Sequence, residues 1–184
     1  MPEYQTGQEV EYVVTFLEMA ARPGYPRPHA PVDAPLALFH AEEPPPWYFL
    51  TLYDAVGGAY EWTDWHHRPV EELASFIGDR AVELFTLYRK GWPAGFFMLD
   101  CRSAGICNLA YFGIVPEAAG RGLGTWLLQT AVHMAWDRPE VVRLTVNTNT
   151  LDHPAALNLY QKVGFEPVRR ETHRRQLTRP RLIP

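Results

Sequence analysis

Three glycines at alternate positions, Gly120-Arg-Gly-Leu-Gly124, follow a β-branched run ending at Ile114-Val115 and open onto a segment of helical periodicity. Without a Cβ, such a turn can bend tightly and bring its backbone close to a ligand. The first N–H groups of the next helix have no internal partners and stand at the positive end of its dipole. The chemistry predicted is anion binding, above all of phosphate. Two fuller phosphate patterns fail. The turn lacks the Gly-Lys-Ser/Thr of a P-loop. A dinucleotide fingerprint needs its turn in the first βαβ unit, with an acid about twenty residues on. Here the turn lies late in the chain, and Asn147 and Asn149 stand near where the acid would be. Other reactive groups are the phenol of Tyr160 and the crowded loop Tyr60-Glu-Trp-Thr-Asp-Trp-His-His-Arg-Pro69. That loop either lines a small-molecule pocket or is anchored to the core by Trp62 and Trp65.

Regular elements must position these groups. Residues 11–19, rich in β-branched and aromatic types, predict a first strand. Eight of the 17 prolines fall between Pro23 and Pro46, which predicts an ordered loop or a partly mobile arm in place of helix or central strand. Pro44-Pro-Pro46 starts a helix with Phe49, Leu52, Tyr53 and Val56 on one face and Gly57-Gly58 as its stop. A short helix over 69–77 and antiparallel strands over 81–88 and 94–100 follow. The next strand covers 107–115, then a helix over 124–136 and a strand over 141–148. That strand-helix-strand passage needs a crossover, so its flanking strands are expected to be parallel. A last helix over 154–163 leads to closing strands over 165–168 and 171–177.

At 184 residues the chain predicts one domain, residues 1–184, with a proline-rich insertion at about 22–46. No run of 18 apolar residues occurs, and Met-Pro-Glu-Tyr-Gln has neither the basic nor the apolar region of a leader, so a cytoplasmic protein without membrane partners is expected. Cys101 and Cys107 are too few for a disulfide framework and lack the companions of a zinc site; they are expected as reduced structural thiols, with no metal centre. Residues 1–100 hold 15 acids and 6 bases, residues 101–184 hold 6 acids and 11 bases. A basic half suits a polyanionic ligand and an acidic half a cationic one. Alternatively, Arg169, Arg170, Arg174, Arg175, Arg179 and Arg181 merely solvate a terminal strand and tail. Nucleic acid is not supported as a partner, since the net charge is −4 and no recognition motif occurs.

Ala119-Gly-Arg-Gly-Leu-Gly124 before one helix and Tyr160-Gln-Lys-Val-Gly-Phe165 at the end of the next resemble the signature of the GCN5-related N-acetyltransferase (GNAT) superfamily. The motifs cover residues 106–168. The resemblance implies an α/β (α+β) acyl-CoA N-acyltransferase fold: a twisted, mixed, mostly antiparallel sheet with one parallel step, flanked by helices on both faces. It implies acetyl-CoA as cosubstrate. The central strand splays from its neighbour, and the backbone at Phe112, Ile114 and Val115 pairs with the pantetheine arm. The pyrophosphate rests on the N–H groups of Gly120, Arg121, Gly122, Gly124 and Thr125. Two positions depart from the pattern. Ala119 stands where Arg or Gln is usual, with Arg121 supplying charge nearby. His153, in Leu151-Asp-His-Pro-Ala-Ala156, replaces an asparagine, and it either orients the pantetheine or, paired with Asp152, caps the last helix.

Acyl transfer to an amine needs a neutral nucleophile, a donor for the oxyanion and an acid for the departing thiolate. Tyr160 matches the general acid of such enzymes; its other reading is a core tyrosine. The oxyanion would meet a backbone N–H near Ile114. A general base is harder to find, because the 107–115 strand offers only Asn108. Glu61 or His66 is favoured, with Asp64, His67, Asp100 and water as further candidates. The expected function is transfer of an acetyl group from acetyl-CoA to a primary amine of a small cationic acceptor, polyamine-like or aminoglycoside-like, by direct attack. The alternatives are a non-catalytic acyl-CoA-binding sensor or interaction module, and a structural subunit whose arm at 23–46 is the contact surface. Homodimers are common among proteins of this resemblance.

Overall fold

Strand-forming runs pair where their apolar alternation matches, and here they build a seven-stranded sheet. The computed structural model describes residues 3–182. Its elements are β1 (Glu3–Tyr4), β2 (Glu9–Met19), β3 (Leu36–Ala41), α1 (Pro46–Gly57), α2 (Val70–Ile77), β4 (Val82–Arg89), β5 (Trp92–Ser103), β6 (Ile106–Ile114), α3 (Leu123–Trp136), β7 (Arg143–Asn149), α4 (Ala156–Lys162), β8 (Glu166–Gln176) and β9 (Arg181–Leu182). The sheet order is β3-β4-β5-β6-β7-β2-β8, while β1 and β9 form a separate antiparallel pair. Within the sheet, β6 and β7 are parallel and the other pairs antiparallel. This is the mixed sheet with one parallel step and helices on both faces that the sequence predicts.

The register separates two faces. Phe85, Phe97 and Phe112 stand opposite one another on one face, and Thr86, Phe96 and Gly113 on the other. The first face lies under α3 and α4: Arg138, just past α3, pairs with Glu83, and Tyr160 of α4 meets Phe112 edge-on at 6.2 Å. On the second, the α1 residue Phe49 packs against Phe96, and Tyr48 Oη donates to Thr86 Oγ1 at 2.9 Å. Gly113 is there because α1 comes so close that a Cβ would lie 2.1 Å from Val56 Cγ1.

Some expectations change. The proline-rich stretch contains strand β3, six residues starting directly after Pro35 and pairing with β4. It lies at the sheet edge, where a nearby proline costs no ladder bond. The rest of that stretch is docked: Arg22 and Arg27 pair with Asp137, and Tyr25 Oη donates to Val163 O at 3.0 Å. The two closing strands are one, β8, with a register shift that pairs Phe16 with Arg169 and Leu17 with Pro167. As an edge strand it can carry Pro167.

Cys101 and Cys107 are a correction. They are joined as a disulfide with Cα atoms 4.3 Å apart, not left as reduced thiols. A register shift between the Asp100–Asn108 and Ser103–Ile106 pairs of the β5–β6 hairpin brings them opposite each other. Counting cysteines tests for a framework of several bridges and overlooks a single one across a hairpin. Among the described residues, no helix is long and apolar enough to cross a membrane.

Candidate active site

A β-bulge and a failed pairing create the site. Met98 pairs with Tyr111 but Leu99 pairs with Leu109, which leaves Ala110 unmatched on β6. Such a bulge bends the strand that carries it. β6 then keeps β7 company only at Ile106, Cys107 and Asn108, which pair with Arg143, Leu144 and Thr145. Beyond Asn108 the two strands part. Val115 N–H donates to Ala94 O at 3.0 Å, an antiparallel bond to the β5 side. Alternation along that ladder turns the N–H and C=O of Ile114 and Phe112 the other way, toward the gap left by β7. Val115 therefore does not share their orientation, and its carbonyl accepts from Ala118 N–H.

The gap opens into a cavity of about 450 Å³ lined by Gly120, Leu123 and Gly124 of the turn and by Tyr60, Trp62 and Asp152, among others. In the turn, Gly120 and Gly122 take left-handed dihedrals, φ 74° and 73°, with open space where a Cβ would project. Gly122 is the N-cap of α3, and no side chain caps that helix. Its first N–H groups are thus left for an anion or solvent. Leu123 and Gly124 line the cavity, whereas Arg121, Gly122 and Thr125 lie exposed beside it.

Tyr160 lines the cavity from α4 with 7% of its surface exposed, and no described residue accepts a hydrogen bond from its hydroxyl. Burial, reinforced by the nearby negative charge of Asp152, pushes the phenol well above its usual range. It is therefore a neutral O–H donor facing the gap. Asp152 sits between β7 and α4. Its Oδ2 accepts from Thr148 Oγ1 at 2.8 Å and Asn149 N–H at 2.9 Å, and its Oδ1 from Trp62 Nε1 at 3.2 Å. Trp62 also packs on Tyr53, Phe96 and Tyr111, so the last bond ties the α1 face of the sheet to the β7–α4 loop across the gap. His153 lines the cavity near Tyr60, and its Nδ1 accepts from Ala155 N–H at 3.1 Å at the start of α4.

The favoured bases stand elsewhere. Glu61 is 1% exposed, at φ 64°, and its Oε2 accepts from the N–H and Oγ1 of Thr178 at 3.0 and 2.9 Å. Arg179 Nε lies 4.0 Å from Oε1. Glu61 thus ties the C-terminal segment to the aromatic loop and does not line the cavity. His66 Nε2 contacts Asp54 Oδ1 at 2.6 Å on the exposed side of α1. Asp64 is exposed near Arg175, and Asp100 is held by Arg102. Three arginines of the basic second half are held in pairs of their own: Arg169 stacks on Phe16, Arg174 faces Glu9 and Glu11, and Arg175 donates to Thr63. None of these arginines lines the cavity. The residues that sequence reasoning passed over are Asp152, read only as part of a cap, and Tyr111. The Trp62–Asp152 bond spans 90 residues and has no local signal.

No curated protein matches the chain in sequence. Among solved structures, a GCN5-related N-acetyltransferase from Kribbella flavida is similar at 18% identity and TM-score 0.58, over 88% of this chain and 56% of that one. A GCN5-related N-acetyltransferase from Sphaerobacter thermophilus is similar at 17% identity and TM-score 0.58, over 98% of this chain and 54% of that one. An aminoglycoside acetyltransferase from an uncultured soil metagenomic sample, in complex with sisomicin, is similar at 14% identity and TM-score 0.55, over 70% of this chain and 87% of that one. The chain spans little more than half the length of the first two. Residues 16–165 match the acetyltransferase (GNAT) family, a stretch that holds the splayed strands, the glycine turn and Tyr160, and the chain belongs to that family.

Proposed function

We propose that the chain transfers an acetyl group from acetyl-CoA to the primary amine of a small acceptor. The observation that carries this reading is the free edge of β6 beyond Asn108, which faces a cavity bordered by an uncapped helix start. An extended amide-bearing arm can pair with Phe112 and Ile114 as an added strand would. The open space over Gly120 and Gly122 then suits the pyrophosphate, held by the first N–H groups of α3. When bound, acetyl-CoA supplies a thioester whose carbonyl carbon is open to an amine. The Ile114 N–H is the candidate donor to the carbonyl oxygen, and Tyr160 Oη holds the proton for the departing sulfur. With Glu61 and His66 outside the cavity, the amine's proton passes to water before attack.

Calorimetric titration with acetyl-CoA tests the first half: micromolar binding is expected, lost in Gly122→Glu, whose carboxylate repels the pyrophosphate. No binding by folded wild-type protein would overturn the reading. The placement of Glu61 and His66 outside the cavity favours one rival, an acyl-CoA-binding module without turnover. Tyr160→Phe separates the two: an enzyme loses turnover and keeps coenzyme affinity, whereas a sensor has no turnover to lose.

A further inference from the structure

The acidic residues of the first half suggest a polycationic acceptor, but they are not where an acceptor would go. Glu61 is buried on Thr178, Asp54 and Asp64 are exposed, and none lines the cavity. Among the described lining residues the only carboxylate is Asp152, and no Lys or Arg is present. Beside it the wall carries the aromatic and apolar side chains of Tyr60, Trp62, Tyr111 and Val56, with His153 and Thr148 as the polar neighbours. The carboxylate has about four lone-pair sites. Trp62, Thr148 and Asn149 occupy three of them, which leaves one on a group that borders the cavity. Asp152 is thus the group on the described lining that is fitted to pair with a cationic second substrate.

We infer that Asp152 is the docking group for the acceptor's nitrogen and that the acceptor is a monoamine with a flat apolar body, such as an arylalkylamine, in place of a polyamine or aminoglycoside. The inference rests on the acetyl-transfer reading above and deepens it. A single carboxylate pairs with a single ammonium, and additional ammonium groups would have to shed water against a wall that offers no second negative charge. The faces of Trp62, Tyr60 and Tyr111 attract one cation and pack an apolar body. Once the ammonium has given its extra proton to water, the same carboxylate still accepts an N–H from the neutral amine, so the nitrogen stays oriented for attack. Asp152 is placed for this beside Tyr160, whose phenol feels its charge.

The test is thiol release from acetyl-CoA with 2-phenylethylamine, spermidine, sisomicin and a short peptide with a free N-terminus as acceptors. It is run on wild type and Asp152→Asn alongside calorimetry of acetyl-CoA and thermal melts. The inference expects 2-phenylethylamine to give the highest kcat/KM. In Asp152→Asn its KM rises about 10- to 100-fold, as loss of a hydrogen bond to a charged group predicts, with acetyl-CoA affinity unchanged. Preference for spermidine, sisomicin or the peptide, or an unmoved KM in the variant, overturns the inference and leaves acetyl transfer standing. Failure of acetyl-CoA to bind, with no turnover on any amine, overturns the reading beneath it. Should Asp152→Asn melt far below wild type, the wild-type protein alone decides. Trimethyl(2-phenylethyl)ammonium is expected to compete with 2-phenylethylamine and its neutral isostere (3,3-dimethylbutyl)benzene to compete at least tenfold more weakly, as about 1.4 kcal/mol of charge recognition implies. Equal inhibition overturns the inference.

Discussion

Gly57, the last residue of α1, positions the aromatic wall of the cavity without itself lining the cavity. A Cβ there would lie 2.1 Å from Trp62 Cδ2, 2.2 Å from Cε3 and 2.3 Å from Cγ. Carbon contacts settle at about 3.5 Å or more, so in Gly57→Ala the indole must retreat by about 1.4 Å. These atoms include Cγ, at the root of the ring, so rotation of a distant tip gives no relief. The Trp62 Nε1–Asp152 Oδ1 bond is already 3.2 Å long, and a displacement of that size breaks it. Overpacking costs about 1–3 kcal/mol and loss of a hydrogen bond to a charged group about 1.5–3 kcal/mol. Alanine in place of a helical glycine returns about 1 kcal/mol. The net loss is about 3 kcal/mol, a fall in Tm of about 6–12 °C for a chain of this size. Urea unfolding followed by far-UV circular dichroism measures it without interference from indole fluorescence. In a Trp62→Leu background the same substitution should cost almost nothing, since the clash is gone and contacting residues couple. Gly57→Ala at wild-type stability, or an equal cost in both backgrounds, would refute the reasoning.

The two glycines at the start of α3 should respond in opposite ways. Gly122→Ala places a side chain at φ 73° and loses about 1 kcal/mol. Gly124→Ala puts a Cβ at ordinary contact distance, 3.8 Å from Ile114 Cγ1 and 3.9 Å from Leu159 Cδ2, and gains about 0.5–1 kcal/mol; thermal melts read both signs. Glu61→Gln should lower stability through its buried contacts with Thr178 but reduce kcat less than about tenfold, whereas a general base would cost about 10²-fold or more. At high pH, burial holds Tyr25 up to about 12 and keeps Tyr160 above its ordinary value. Their contribution to stability is full below the unfolded tyrosine value of about 10 and is lost as pH rises through the folded values. Urea midpoints should therefore fall from about pH 10 upward, less steeply in Tyr25→Phe.

Elements with strong periodicity or clear punctuation were legible in the sequence: β2, α1, the β4–β5 hairpin and the β6–α3–β7 crossover. The glycine turn was legible too, because Gly120 and Gly122 carry their reason in their own backbone dihedrals. What failed to show was set by partners far along the chain. β3 is six residues beside a proline, and its being a strand depends on the free edge of β4. The disulfide depends on a register shift in a hairpin, and β8 survives its proline because it is an edge strand. Glu61 looked like a base by type and company, yet a carboxylate among aromatics serves equally as a structural acceptor. The bond to Thr178, 117 residues away, favours the second use, and it has no local signal. Asp152 was visible as a capping type, but its exposure to a cavity is a property of where β7 and β6 separate.

The three register pairs that join β6 to β7 also give the molecule a mechanical character. The strands β3, β4, β5 and β6 form one leaf and β7, β2 and β8 another, with the ladder from Ile106 to Asn108 as their shared spine. Thr145 Oγ1 donates to Asn108 Oδ1 at 3.1 Å where that spine ends. From Asn108 to Tyr111, on which Trp62 packs, the strand reaches about 10 Å. A twist of about 5° at the spine therefore moves that point through about 0.9 Å, more than the slack in a bond of 3.2 Å between Trp62 and Asp152. Fit at the mouth is thus levered from a few residues at the closed end of the gap, and substitutions at Asn108 or Thr145, neither of which lines the cavity, will act on it with amplification.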